Sequence, residues 1–581
     1  MFQSKLKKSK YSTSIIAVIF ALTIFLQCCF FHYKAFHSIL ISSLWKEPID
    51  FILYYAPKFI IALFLSSIVF LLKNKWWTII VSFLISCWSI CELTYYRANG
   101  MFFDAMSITM IGNMDGFWSS VPMYIYTSDF LIFLGTITLF ITYILFNNKK
   151  TYKFAGTIIM LISIFLHIGH AHCLNYKDWK GMTHKGDIFY NPFLKNSVRY
   201  FWGFTSRDYI SRTSVVHSCV YKLKEFILLP WEVDNYNLST TEINKCQHFF
   251  NKMSNNIKPN SNLIIILVES FEDWAINEVS MPYLYKFISD NNVFYHKRII
   301  SQTKGGTSAD GQMIINTGLL PINEGATCYR YPYNTYPALS KLYNNTAGII
   351  PGQIDTWNQS KMSDAYGISH NIMVPNNDDE VTFNELNNLI YKYDYILVIT
   401  MASHSPFETF AEKSELHYPN EFPIDITNYL KSVNYTDKQL KSFLENIKVD
   451  TILQKSTIVI TGDHAAFIPV ETRNKFDEYC KQHKLQYNVK ERVCPLIIYS
   501  PYIKTKKIVN DIAYQMDIFP TILHVIGAEN YYWKGFGVNL LDSIAIKNRH
   551  MPQDTAFDLS DKLIRSNYFY EIENQLKTKI N

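Results

Sequence analysis

Three stretches of this sequence place metal-binding side chains directly behind apolar runs. Glu269 follows Leu263-Ile264-Ile265-Ile266-Leu267-Val268. His404 sits in Ser403-His404-Ser405-Pro406-Phe407, a short turn after Tyr395-Ile396-Leu397-Val398-Ile399-Thr400. Asp463 and His464 follow Thr457-Ile458-Val459-Ile460-Thr461 and Gly462. Carboxylate oxygens and imidazole nitrogens are donors for divalent manganese, zinc or magnesium. One such residue behind a strand is more often a helix cap or a turn; the repetition at three strand ends favours a metal site. A hydroxyl source lies between them, in Gln302-Thr303-Lys304-Gly305-Gly306-Thr307-Ser308-Ala309-Asp310-Gly311. Thr307 or Ser308 could simply cap the helix that follows. The same position also offers backbone N–H groups to an anion such as phosphate. A free hydroxyl is a weak nucleophile at neutral pH, and a divalent cation beside it supplies the alkoxide. Ligands and hydroxyl therefore need each other.

The elements that carry these residues are predicted to be strands buried on both faces, because the runs are continuous and β-branched. Pro495-Leu496-Ile497-Ile498-Tyr499 is a fourth such run, and helical patterns fall between them at 281–291 and 429–446. This predicts an α/β domain with a mostly parallel sheet. Ligands of such sheets bind outside the carboxyl ends of the strands, where Glu269, His404, Asp463 and His464 are placed.

The remainder of the chain sets the environment. Of 581 residues only 18% are charged, well below the roughly 25% of an average soluble protein. That excludes a disordered chain or a coiled coil. The first 175 residues hold 13 Lys and Arg against 6 Asp and Glu, leaving 42 against 43 for the rest. The basic excess is thus confined to the N-terminal third, and no part of the remainder is suited to nucleic acid. Five apolar segments, at 11–31, 51–72, 76–95, 129–146 and 154–173, approach the ~20 residues that cross a bilayer. The second contains Pro57 and Lys58, the lysine expected to snorkel to the interface. Lys5, Lys7, Lys8, Lys10, Lys73, Lys75, Lys149, Lys150 and Lys153 share one side, against Lys34, Lys46, Lys58 and Arg97 on the other. The positive-inside rule makes the first group cytoplasmic and puts everything after Cys173 outside. Gln27-Cys28-Cys29 offers no small-residue cleavage site, so the first span is expected to stay as an anchor. Glu92 reads either as a functional intramembrane carboxylate or as an interface residue, and the histidines 167, 170 and 172 suggest a metal cluster but are better read as a solvated helix end. The cysteines predict no particular bridge. The expected organisation is a five-helix transmembrane domain over 1–174, an interfacial linker over 175–260 with a hinge at 255–262, a catalytic domain over 261–545 and a surface helix or tail over 546–581.

Five spans ahead of an external α/β domain, with Leu267-Val268-Glu269-Ser270, Gly306-Thr307-Ser308, His404-Ser405-Pro406-Phe407 and Gly462-Asp463-His464 in that order, resemble lipoteichoic acid synthase and the membrane phosphoglycerol transferases. These are sulfatase-like members of the alkaline phosphatase superfamily. Weaker matches are Asn428-Tyr429-Leu430 through Tyr435-Thr436-Asp437, Pro495-Leu496-Ile497-Ile498 and Asp517-Ile518-Phe519-Pro520-Thr521. The resemblance implies one divalent metal, commonly manganese, on Glu269, Thr307, Asp463 and His464. It makes Thr307 the nucleophile and puts His404 beside the substrate phosphate, with Trp357 and Asn358 as candidate substrate contacts; packing is an equal reading of Trp357. It implies a phospholipid donor, release of diacylglycerol, a phospho-threonine intermediate and an envelope glycan, lipid or polymer acceptor. It implies a bacterial inner-membrane protein with a cytoplasmic N-terminus and an extracytoplasmic catalytic domain.

The sequence departs from that family where phosphoglycerol-specific members carry His-Gly and then Trp-Asn-Arg. Here the stretch is Pro351-Gly352-Gln353 to Trp357-Asn358-Gln359. A neutral amide does not replace a phosphate-binding guanidinium, which leaves phosphoethanolamine open beside phosphoglycerol. The nucleophile region lacks the Cys/Ser-x-Pro-x-Arg pattern of sulfatases, and no second ligand set for a two-metal phosphatase is evident. A hydrolase with water as acceptor, and a non-catalytic glycan- or lipid-binding member, are the competing readings.

Overall fold

The computed structural model describes residues 11–43, 48–99, 102–103, 121–146, 150–179, 210, 213–228, 236–252, 257–323, 325–352, 356–547 and 551–578. The chain divides into two compact units, Met1–Ala105 with Val121–Leu229, and Met106–Ser120 with Pro230–Asn581.

The first unit is helical: Ser12–Ser43 with a break at Phe36, Pro48–Leu71, Trp77–Asn99, Leu134–Phe146 behind the 3-10 turn Thr127–Phe133, and Lys153–Trp179. Among the described residues four stretches are long and apolar enough to span a membrane, namely Ser12–Phe36, Trp77–Ala98, Thr127–Phe146 and Lys153–His170. The predicted second span is the helix Pro48–Leu71, whose side chains are described from Tyr55 onward as the apolar stretch Tyr55–Leu71. Large apolar side chains such as Leu22, Phe140 and Phe165 face outward, as helices solvated by lipid require. Polar groups pair inside instead: the Gln27 amide donates to Ser82 Oγ at 2.9 Å and Ser86 Oγ at 2.8 Å. An unpaired amide in hydrocarbon would be costly.

Several polar residues expected at the interface prove to be buried. Lys58 does not snorkel; it is 1% exposed and its Nζ donates to the Thr213 carbonyl at 3.1 Å. Glu92 is buried, accepts the Phe103 N–H at 3.2 Å and forms an ion pair with Lys222. His170 is buried, and His167 stacks on His217 at 5.3 Å; the side chain of His172 lies outside the described residues. Lys222 and His217 belong to the helix Val215–Leu228. The second half of the expected linker is thus divided: Val215–Leu228 packs with the membrane helices, while Cys246 and Phe249 enter the core of the second unit.

The second unit is built on an eight-stranded sheet: β1 Leu263–Val268, β2 Val293–Ile300, β3 Thr346–Pro351, β4 His370–Val374, β5 Tyr395–Ile399, β6 Thr457–Gly462, β7 Val493–Tyr499 and β8 Lys507–Tyr514. The order is β4-β3-β5-β1-β6-β7-β2-β8, parallel except at β7. β1 shows why the central runs are uniformly apolar. Leu263, Ile265 and Leu267 enter one core cluster, while Ile264, Ile266 and Val268 enter the other on the opposite face, as the two-residue strand period dictates. Helices expected at 281–291 and 429–446 are found as Pro282–Phe287 and Ile424–Asn446.

The C-terminal segment is not a tail. The helices Gln553–Arg565 and Tyr568–Thr578 contribute Leu559, Leu563, Ile564, Phe569 and Ile572 to the main core. Ser560 Oγ donates to the Leu320 carbonyl at 2.6 Å and accepts its N–H at 2.8 Å. Asp561 Oδ1 accepts the Asn323 N–H, and Asn567 Oδ1 the Thr335 N–H. Its amphipathic pattern buries one side against the segment 319–335.

Candidate metal centre and active site

β5, β1 and β6 are adjacent in the sheet, with Leu267 level with Ile399 and Val268 level with Gly462. Their carboxyl ends therefore deliver the 400–407 turn, Glu269 and Asp463-His464 side by side. Ser270 adopts φ 54, turning the chain sharply beside Glu269. Ser270 Oγ donates to Glu269 Oε1 at 2.7 Å, and its N–H donates to Asp463 Oδ1 at 2.9 Å. The His464 N–H donates to the same Oδ1 at 2.7 Å. Asp463 Oδ2, by contrast, is buried with no hydrogen-bond partner. His464 Nδ1 lies 3.0 Å from the Ala465 carbonyl; a proton held there leaves the Nε2 lone pair facing the carboxylates. Nε2 is 3.5 Å from Glu269 Oε1 and 3.6 Å from Asp463 Oδ2.

The electrostatics of this cluster ask for a cation. Burial pushes the Asp463 carboxyl up to about 7, and the negative charge of Glu269 pushes it the same way. Burial lowers the His464 imidazole, but the charges of Asp463 and Glu269 outweigh it and raise it above its ordinary value. Glu269, Asp463 and His464 are all buried, and one donor atom of each lies within 4.8 Å of the others. Ligand bonds of about 2.0–2.2 Å imply tetrahedral edges of roughly 3.3–3.6 Å, in line with the separations from Nε2. The orphaned Oδ2 and the crowding of charge fit a divalent ion held by these three residues.

The helix Thr307–Thr317 brings hydroxyls to the cluster. Thr307 opens it at φ 37, a region a β-branched residue adopts only at a cost. Ser308 follows, and its Oγ donates to Glu269 Oε2 at 3.2 Å and lies 3.1 Å from His464 Nε2. The Ser308 hydroxyl thus joins that of Ser270 in bonding to the Glu269 carboxylate; the sequence singled Ser308 out only as one of two cap candidates. Asp310 fixes the preceding turn, its Oδ2 accepting the N–H groups of Lys304 at 2.8 Å and Gly306 at 2.9 Å. Gly311 allows the helix to press on the turn that carries Asp463: a Cβ there would lie 2.3 Å from the Asp463 carbonyl oxygen.

His404 is half-buried in the turn after β5. Burial drives its imidazole down to about 4, and the neighbouring His464 adds to this, so it is neutral at pH 7. Asp379, which the sequence did not reveal, holds that turn. Its Oδ1 accepts the N–H groups of Met401 at 2.8 Å and Ala402 at 3.2 Å, and its Oδ2 accepts the Thr436 hydroxyl at 2.7 Å. The Ser403 hydroxyl donates to the Glu269 carbonyl at 2.5 Å, tying the turn to β1. Trp357 and Asn358 both have positive φ, 55 and 52. The Trp357 N–H donates to the Tyr329 hydroxyl at 3.0 Å, and the Asn358 amide to the Cys328 carbonyl at 3.0 Å. These bonds place them beside the helix Thr327–Arg330; Gln353 lies outside the described residues.

A parallel sheet with acidic and imidazole donors at adjacent strand ends, in a chain that also carries long apolar helices, defines a membrane protein with a sulfatase-like domain. Comparison with known proteins agrees. The Sulfatase family model matches residues 261–528, and the lipoteichoic acid synthase N-terminal domain matches residues 1–184. Lipoteichoic acid synthase 2 of Bacillus subtilis is 24% identical over 504 residues, covering 80% of this chain and 74% of its own. Lipoteichoic acid synthase of Staphylococcus saprophyticus is 23% identical over 591 residues, covering 94% and 87%. Among solved structures, the lipoteichoic acid synthase LtaP of Listeria monocytogenes superposes with a TM-score of 0.46 at 20% identity, covering 57% of this chain and 98% of that one. The chain is thus similar to lipoteichoic acid synthases in its N-terminal region and carries a sulfatase-like domain over residues 261–528.

Proposed function

We propose that this protein is a metal-dependent phosphotransferase of the bacterial inner membrane that moves a phospholipid head group, phosphoglycerol or phosphoethanolamine, to an extracytoplasmic glycan, lipid or polymer acceptor. The observation that carries this is the buried cluster of Glu269, Asp463 and His464 with the unpartnered Asp463 Oδ2, at the start of a hydroxyl-bearing helix. A cation held there, manganese in this reading, supplies charge neutralisation and activation of that hydroxyl. The family pattern designates Thr307 as the acceptor of the phosphoryl group and as a ligand. His404, neutral at pH 7, is suited to donate a hydrogen bond from its ring N–H to a phosphoryl oxygen. Trp357 and Asn358 are proposed to contact the head group. The apolar helices keep the domain at the surface that holds the donor, which raises its effective concentration. The topology proposed is a cytoplasmic N-terminus with the second unit outside.

The test uses the full chain in liposomes of phosphatidylglycerol or phosphatidylethanolamine with Mn²⁺. Diacylglycerol release that stops on chelation, with the head group recovered on a supplied glycan, supports the proposal. Release of free phosphorylated head group despite an acceptor would make the protein a hydrolase, and no release from either lipid would refute the assignment.

A further inference from the structure

We propose that Arg492 is a phosphate-binding residue of this site, its guanidinium holding a non-bridging oxygen of the substrate's phosphodiester at the mouth of the Glu269, Asp463 and His464 cluster. This rests on the phosphotransferase reading above and names the residue that draws the anion in.

Charge makes the demand. Glu269 and Asp463 contribute two negative charges, and a divalent cation cancels both. His464 adds none when its Nε2 lone pair faces the cation. The loaded cluster is therefore neutral, and a neutral centre exerts no long-range pull on a phosphodiester monoanion. His404 does not supply that pull, being neutral at pH 7. Lys304 is engaged elsewhere: its Nζ donates to Asn323 Oδ1 at 2.7 Å and lies 3.9 Å from the centre of the Phe557 ring. Arg298 faces Glu491, its Nε 2.9 Å from Oε2.

Topology places Arg492 where the charge is wanted. β7 runs antiparallel to β6, so its amino end stands at the edge of the sheet where β6 delivers Asp463 and His464. Cys494 packs there: a Cβ on Gly462, the residue before Asp463, would lie 3.0 Å from Cys494 Sγ. On its other side β7 pairs with β2, Val493 level with Ile300, and the residue after Ile300 opens the turn that leads to Thr307. Arg492 immediately precedes Val493, between the turn with the acidic ligands and the turn with the hydroxyls. It is exposed, whereas Glu269, Asp463 and His464 are buried, so an incoming anion can reach it. Its charge is felt at the cluster. The His464 imidazole, lowered by burial and raised by Asp463 and Glu269, is lowered again by Arg492. A guanidinium presents N–H donors in a planar fork that matches phosphoryl oxygens. Before an anion arrives, Arg492 and the cation repel each other; a phosphate bridging them relieves both charges.

Calorimetric titration of the full Mn²⁺-loaded chain with inorganic phosphate tests this, alongside Arg492→Gln and Arg492→Lys, and Mn²⁺ binding is titrated separately without phosphate. Arg492→Gln is expected to weaken phosphate roughly 10- to 100-fold, and Arg492→Lys, which keeps the charge and loses the fork, by less. Mn²⁺ binding without phosphate is expected to stay equal or tighten in Arg492→Gln, because a neighbouring positive charge is gone; a residue that only supports the fold would loosen it. KM for phosphatidylglycerol should rise in step with the loss of phosphate affinity. Unchanged phosphate affinity in Arg492→Gln overturns the inference, and so does Mn²⁺ weakened together with phosphate. Phosphate held through Arg492 by a protein that releases no diacylglycerol keeps the inference and refutes the transferase reading. Diacylglycerol release with an unaltered KM in Arg492→Gln does the reverse.

Discussion

Replacing Gly311 by alanine tests the idea that close approach of a helix to a turn sets the active site. Gly311 lies inside the helix Thr307–Thr317, where alanine ordinarily gains about 1 kcal/mol of helix stability. Here the added Cβ would lie 2.3 Å from the carbonyl oxygen of Asp463 and 2.9 Å from its carbonyl carbon. Real Cβ contacts essentially never fall below 3.0 Å, so the helix and the turn must part by at least 0.7 Å. Both partners are main chain, so no rotamer change relieves the clash. Overpacking of this kind costs about 1–3 kcal/mol, which cancels or exceeds the propensity gain. The larger effect falls on chemistry. The shift separates the helix start, with Thr307 and Ser308, from Glu269 and His464, and a displacement near 1 Å costs on the order of 100-fold in rate. Diacylglycerol release under Mn²⁺ should fall by about that factor, while the melting temperature drops only a few degrees. A Gly311→Ala protein that is both more stable and fully active would refute the argument that this contact positions the site.

Two further outcomes follow from the charges and bonds of the site. Because burial and Glu269 hold the Asp463 carboxyl near 7, the metal-free fold is most stable with that group protonated. It loses this contribution as pH rises from the ordinary carboxyl range through about 7. A cation needs the carboxylate, so Mn²⁺ affinity should be complete well above pH 7 and weaken roughly 30-fold by pH 5.5 for this one proton; calorimetric titration showing no weakening would contradict it. Asp379→Ala leaves the N–H groups of Met401 and Ala402 without their acceptor, a loss of about 2–4 kcal/mol that denaturant unfolding should register together with reduced turnover through the displaced His404; unchanged stability would show that the turn is held by other contacts.

The central strands and the convergence of Glu269, Asp463 and His464 were legible because double burial writes itself as a continuous β-branched run and because these residues sit at the run's end. β2, β3, β4 and β8 were not. β4 and β8 alternate or expose their side chains at the sheet edge, and β3 is broken by Gly348 and ends in Pro351, so none carries the apolar run that marked the others. The sequence also offered two neighbouring hydroxyls, Thr307 and Ser308, and the positive-φ backbone at Thr307 that aims them is not written in residue type. Lys58, Glu92 and the helix Val215–Leu228 were misread for a different reason. Each is satisfied by a partner far along the chain, Thr213 for Lys58 and Lys222 for Glu92, and charge alone does not announce a distant partner.

The C-terminal helices carry a consequence for the timing of activity. The segment just after the hydroxyl-bearing helix is stitched to residues about 240 positions downstream, through Leu320 to Ser560 and Asn323 to Asp561. A polypeptide is made from its amino end, so Ser308 and its neighbours emerge long before the groups that brace them. Until the last turns of the chain have arrived, Leu320 and Asn323 have nothing to bond to and the core on that side stands open. A product cut short before these two helices would keep the hydroxyl-bearing helix but lose the partners of Leu320 and Asn323.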